Sequence, residues 1–158
     1  MSLFLNYPLI AAFSAIILAQ VIKIPINMIK NQSINWRLAV STGGMPSSHS
    51  AAVASLSTGV GIDSGVGSPL FAACVIFGVI TMFDAAGVRR HAGEQAVYLN
   101  KLIEEFDEVF REMVSLKKMS TRNTKVLKEL LGHRPVEVFV GALFGIGLSL
   151  ALYFIFYK

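Results

Sequence analysis

The spacing of its apolar runs constrains this chain more than any other feature. Crossing the hydrocarbon core of a bilayer as a helix takes about 20 mostly apolar residues. Four stretches reach or approach that length, at 3–22, 47–62, 69–83 and 136–157. With 54% hydrophobic and 15% charged residues in 158, this much apolar surface cannot be hidden in one small aqueous core. It must face lipid. The expected fold class is therefore all-α: a polytopic membrane helix bundle of about four transmembrane helices, forming one membrane-embedded domain over 1–158. The N-terminal run has no basic leader region and no small-x-small cleavage site, so it reads as the first span.

The four runs are not alike. The second, rich in Ala, Ser and Gly, suits close helix packing better than lipid contact. The fourth carries Gly141 and Gly145, a small-xxx-small face that a neighbouring backbone can approach, and ends in an aromatic interfacial belt at 153–157. The single cysteine, Cys74, sits inside an apolar run and reads as a small hydrophobe. Between the third and fourth runs lies a long charged segment, 87–134. There Leu99, Leu102, Ile103, Phe106, Val109, Phe110, Met113 and Val114 recur at helical spacing, which predicts an amphipathic helix on the bundle or in the membrane interface. A shorter helix is expected at 123–131.

Basic residues give the bundle a direction. Of the 14 Lys and Arg, 13 fall between the first and second runs or between the third and fourth, and only Lys158 falls elsewhere. Four spans put both loops on the same side. Positive-inside bias then makes that side the cytoplasm and leaves both termini outside. A multi-pass protein of the cell membrane is expected, with the lipid bilayer as partner, no nucleic acid, and a homodimer left open.

Polar chemistry concentrates on those same loops. At 43–50 stands Gly-Gly-Met-Pro-Ser-Ser-His-Ser, opening the second run. Gly43 and Gly44 let backbone approach a ligand, and Pro46 suits the first positions of a helix. The N–H groups of Ser47, Ser48 and His49 at the helix start would face an anion. Ser47 or Ser48 as a plain helix cap explains the serines equally well, but not His49 at a membrane boundary. At 132–137 stands Gly-His-Arg-Pro-Val-Glu, which puts His133 and Glu137 four apart on one helical face. A carboxylate holding one ring nitrogen leaves the other a competent nucleophile or base. Asp84 ends the third run and wants a partner, for which Arg89 and Arg90 are near in sequence; His91 follows them. Lys23, Lys30 and Arg37 supply cations to the first loop. Two histidines with several cations and no cysteine cluster favour phosphoryl chemistry through histidine over a metal site.

The motifs at 43–50 and 84–93 resemble those of the divergent branch of the type-2 phosphatidic acid phosphatase superfamily, which is related to the vanadium haloperoxidases. The resemblance covers about 6–148. Lys30 and Arg37 have the spacing of its first motif, with Leu38 in place of proline, and Pro46 to His49 match its second, with Ser48 in place of glycine. His133 stands at the nucleophile of the third motif and Glu137 at its aspartate, while Leu127 occupies the arginine position, a role Arg89 could fill. Asp84 is the alternative to Glu137 as the acid that orients His133. The resemblance implies a metal-independent, cofactor-free lipid-phosphate phosphatase. His133 would attack phosphorus to form a phosphohistidine, His49 would protonate the leaving oxygen, and water activated by the His133 system would release phosphate. Lys23, Lys30, Arg37, Arg89, Gly44, Ser47 and Ser48 would bind the phosphate. A cytoplasmic site favours a phospholipid such as phosphatidylglycerol phosphate or phosphatidic acid. An isoprenyl phosphate or diphosphate, or a non-catalytic phosphate-lipid scaffold, are the alternatives.

Overall fold

The computed structural model describes residues 6–31, 43–114, 127 and 132–156, without the side chains of 30, 31, 108 and 110–114. Every element in it is helical: α1 (Tyr7–Asn31), α2 (Ser48–Ser64), α3 (Pro69–Ala86), α4 (Val88–Val114) and α5 (Pro135–Phe156). Arg37 and the helix expected at 123–131 (apart from Leu127) lie outside the described residues, and Lys30 is described by its backbone alone.

Among the described residues, three helical stretches are long and apolar enough to cross a membrane: Tyr7–Ile29, Pro69–Asp107 and Pro135–Phe156. Their outward residues, among them Phe13, Ile17, Phe77, Ile80 and Phe139, are exposed, as lipid-facing side chains should be. The second expected span falls on α2, which is helical but is not one of these three. Its 17 residues rise about 26 Å, and it is enclosed by α1, α5 and α3. A helix surrounded by protein needs little lipid-compatible surface, which is why its Ala, Ser and Gly content reads weakly by hydropathy.

Close backbone approach holds the centre together. Gly141 and Gly145 of α5 lie on α2: a Cβ on Gly141 would stand 2.5 Å from the Ser47 carbonyl oxygen, and one on Gly145 2.9 Å from the Ala51 Cα. The small-xxx-small face expected from sequence is the α2–α5 seam. Across from it, Ala15 and Ala19 of α1 pack with Ala51, with Phe144 and Leu148 filling in around them. Such contacts rest on van der Waals packing, because lipid offers no hydrophobic gain for helix association. At one end of the bundle the Tyr7 hydroxyl donates to the Ser149 carbonyl at 2.5 Å, lies 3.0 Å from the Ser149 hydroxyl, and its ring meets Tyr153 edge-on. Gly59 of α2 abuts Pro8 of α1 at that same end.

Two boundaries differ from expectation. α1 continues to Asn31 instead of ending near 22, through Pro25. Apolarity stops at Lys23, but the helix does not, because Gln20, Lys23 and Asn27 form one polar face at helical spacing. Beyond α3, the chain turns for one residue only. Gly87 donates to the Phe83 carbonyl at 2.8 Å and accepts from the His91 N–H at 3.0 Å, so α4 starts at once.

Candidate functional site

The end of the bundle opposite Tyr7 gathers the polar motifs. His49 stands in the first turn of α2. Its helix is capped by the Ser47 hydroxyl, which accepts from the Ser50 N–H at 3.4 Å and from the Ser50 hydroxyl at 3.1 Å. Pro46 precedes the cap and does not occupy the first helical turn. Ser47 also donates its N–H to the Glu137 carbonyl at 3.1 Å, so this group joins α2 to α5 instead of facing an anion. The N–H groups of Ser48 and His49, in the first turn, have no acceptor within their own helix.

His133 comes from the other half of the chain. Its N–H donates to the Ala85 carbonyl at the end of α3, at 2.9 Å. The preceding Gly132 has φ +91 and sits on the α3–α4 junction, where an added Cβ would stand 2.6 Å from the Arg90 Cα. Only glycine takes that conformation at so close an approach. The two contacts put His133 beside His49, with ring centroids 5.9 Å apart and planes nearly perpendicular at 80°.

The histidines differ in environment. His49 is exposed, whereas His133 is 3% exposed and its Nε2 is buried without a hydrogen-bond partner among the described residues. Burial, then the charges of Lys23, His49 and Arg89, push the His133 imidazole down to about 4 from an ordinary 6.5. It is a neutral, desolvated ring in a cationic surrounding. A buried polar atom left unpartnered at such a place is a cost that a ligand can remove.

Lys23 is 3% exposed and reaches the site from α1. Its Cδ lies under Gly44, 3.8 Å from where a Cβ there would be, and Glu137 attracts it electrostatically. Gly44 has φ +93, the left-handed region that glycine adopts freely. By sequence, Lys23 is one of the cations between the first and second runs, at the membrane edge after Gln20. Its place inside α1, one turn from Gln20 and Asn27, was the signal that it points into the bundle. Gln20 is a further residue of this face, with its Oε1 buried and unpartnered.

The carboxylates behave differently from expectation. Glu137 Oε2 accepts from the Arg134 N–H at 3.1 Å, capping α5. Asp84 Oδ2 pairs with Arg89 Nε at 2.7 Å. Both are thus engaged with partners other than the His133 ring. Asp84, Arg89 and Lys23 are instead the charges that act on His49. Arg90 and His91 meet Glu94 on the surface of α4, at 3.0 and 3.4 Å, and such exposed pairs contribute little to stability.

Among the residues expected from sequence, the fold therefore brings Lys23, Gly44, Ser48, His49, Asp84, Arg89, His133 and Glu137 to one end, supplied by all five helices or their ends. A neutral imidazole facing a second imidazole, with a buried ammonium and a guanidinium nearby, can hold a tetrahedral oxyanion between its rings. The family model "Divergent PAP2 family" matches residues 4–148. A curated relative, the uncharacterized membrane protein YuiD of Bacillus subtilis (strain 168), is 55% identical over 157 residues, 99% of either chain. No solved structure matches the chain significantly. Motifs, helical fold and match over nearly the whole length agree: this membrane protein belongs to the divergent PAP2 family.

Proposed function

We propose that the chain is a metal-independent membrane lipid-phosphate phosphatase working through a phosphohistidine. The observation that carries this reading is the pair of imidazoles 5.9 Å apart, one buried with a bare Nε2 and one exposed. His133 is neutral at physiological pH, so its ring nitrogen has a lone pair for attack on phosphorus. As the N–P bond forms, the bond from phosphorus to the lipid oxygen breaks, and that oxygen takes a proton from His49. Water then attacks the phosphohistidine and gives its proton to His49, returning both rings to their starting states. Charge on the equatorial oxygens is met by Lys23, Arg89 and the first-turn N–H groups of Ser48 and His49. Lys30 and Arg37 complete the cation set in this proposal. Phosphoryl transfer needs little beyond such positioning and charge stabilisation.

Gly44, just before α2, lies by Lys23, and Gly59 of α2 lies by Pro8, so α2 runs alongside the apolar part of α1. On that basis it is a fourth crossing. The 13 basic residues beyond Lys158 then lie on one face, which the positive-inside bias makes cytoplasmic. A cytoplasmic phospholipid, such as phosphatidic acid or phosphatidylglycerol phosphate, is the proposed substrate class, ahead of an isoprenyl phosphate or diphosphate.

A second reading, a scaffold that binds phosphate lipids without turnover, is favoured by one observation: Glu137 and Asp84 are both engaged elsewhere than on His133. One experiment separates them. Purified protein in proteoliposomes is assayed for phosphate release from a panel of phospholipid and isoprenyl phosphates, alongside His133→Ala and His49→Ala. Release that falls to background in His133→Ala, with acid-labile phosphate trapped on wild type, supports catalysis. Undiminished release in both variants ends the assignment, and lipid binding with no release by wild type favours the scaffold.

A further inference from the structure

We propose that α4 lies in the lipid interface of the membrane that α3 crosses, and that this docking holds His133 in place. α4 begins after a single non-helical residue, Gly87, so its first turn is fixed where α3 leaves the membrane. Phe77, Ile80 and Phe83 on α3 are exposed, and across the one-residue turn so are Val88 and, beyond the charged stretch at 89–94, Tyr98, Leu99, Leu102, Ile103, Phe106 and Val109. Exposed apolar side chains thus stand on both helices, joined by a single non-helical residue.

The shape of the apolar face selects its occupant. Those six residues from Tyr98 to Val109 cover an arc of about 140° at helical spacing, broader than the narrow seam of a two-stranded coiled coil. Around the helix from them lie Gly93, Ala96 and Asn100, which are buried. There the Asn100 amide brackets the backbone of Leu127 with two hydrogen bonds of 3.0 Å. The remaining side carries Glu94, Lys101, Glu104 and Glu105, all exposed. Broad apolar arc, opposite charged face and low overall hydrophobicity define a helix that lies in an interface. With six acidic against four basic residues between Val88 and Val114, apolar insertion carries the docking, and anionic headgroups do not.

The consequence for the site follows from two contacts already described. His133 hangs from the Ala85 carbonyl, and Gly132 is seated on the backbone of Arg89 and Arg90, the first turn of α4. Lifting α4 off the interface moves the surface against which the His133 loop is pressed.

The test uses full-length protein and reads no enzymatic activity, so it can fail independently of the phosphatase reading. In a Cys74→Ser background, Phe106→Cys is labelled with an environment-sensitive fluorophore and reconstituted into phosphatidylcholine vesicles. Expected are blue-shifted emission, quenching by nitroxide-bearing lipids, and no change with salt or with added anionic lipid. Solvent-like emission overturns the proposal, and so does a blue shift lost when the protein is diluted into excess lipid, since a second copy would then be the cover. In parallel, the carbethoxylation rate of His133 is mapped by mass spectrometry, with exposed His91 as internal reference. Leu102→Glu with Phe106→Glu should raise the His133 rate severalfold, while Lys101→Glu on the charged face leaves it unchanged. An unchanged rate in the double variant overturns the coupling, and if that variant fails to fold, the fluorophore result still decides the docking.

Discussion

The two ends of this bundle treat polar groups in opposite ways. At the Tyr7 end, a buried hydroxyl meets both the carbonyl and the hydroxyl of Ser149, a fully buried residue. At the His133 end, an imidazole nitrogen and the Gln20 amide oxygen are buried without partners, next to a buried ammonium. α1, α2 and α5 contribute to both ends, so the difference lies in which side chains they place there. Ser55 Oγ, midway along α2, is also buried without a partner among the described residues, but only at the His133 end do such atoms stand beside a buried ammonium, where an anionic ligand could answer them.

The largest effect is expected at the seat of His133. Gly132→Ala forces a side chain onto the Arg90 backbone at φ +91. Backbone strain and overpacking together should cost about 2–4 kcal/mol, read as a lowered thermal midpoint in detergent. Phosphate release should fall with it. Loss of release at unchanged stability would show that Gly132 does not anchor the loop. Next in size is a pH effect. The folded state holds the His133 pKa at about 4, below its ordinary 6.5, so the unfolded chain binds a proton more readily. Stability should therefore be fully present above about pH 6.5 and decline as pH falls toward 4. In His133→Gln the decline should shrink, and an identical pH profile in this variant would place the response elsewhere.

Much of this architecture is legible in the chain because membranes simplify the code. Apolar length alone announces α1, α3 and α5, and the Gly141–Gly145 spacing announces a close helix contact whose partner, α2, only the fold supplies. His49 and His133 are legible as chemistry because ionisable residues at a membrane edge need a reason to be there. What hydropathy misreads is any helix whose polar face is buried. It ends α1 at Lys23, where one side of the helix turns polar while the backbone hydrogen bonding continues. Spacing also misreads local competition. His133 and Glu137 are four apart, but His133 precedes α5 and is held by the Ala85 carbonyl, while the Glu137 carboxylate is drawn back to the N–H of Arg134. A helix start offers unsatisfied N–H groups to any nearby carboxylate, and no sequence pattern says which of two uses prevails.

That competition sets the smallest predicted effect. If Glu137 serves α5 as a cap, a glutamine keeps the acceptor for Arg134 and loses only the attraction to Lys23. Glu137→Gln should then change stability by no more than about 0.5 kcal/mol and phosphate release by less than a few fold, whereas Glu137→Ala, which removes the acceptor, should cost about 1 kcal/mol. If Glu137 instead orients His133 during turnover, the amide would fail to stabilise the charged ring and release should drop by orders of magnitude in both variants, with stability unchanged in Glu137→Gln. Comparing the two variants in stability and in rate therefore separates a carboxylate that shapes the helix from one that acts on the imidazole. The same comparison at Asp84, using Asp84→Asn, asks whether its pairing with Arg89 persists when the charge that acts on His49 is removed.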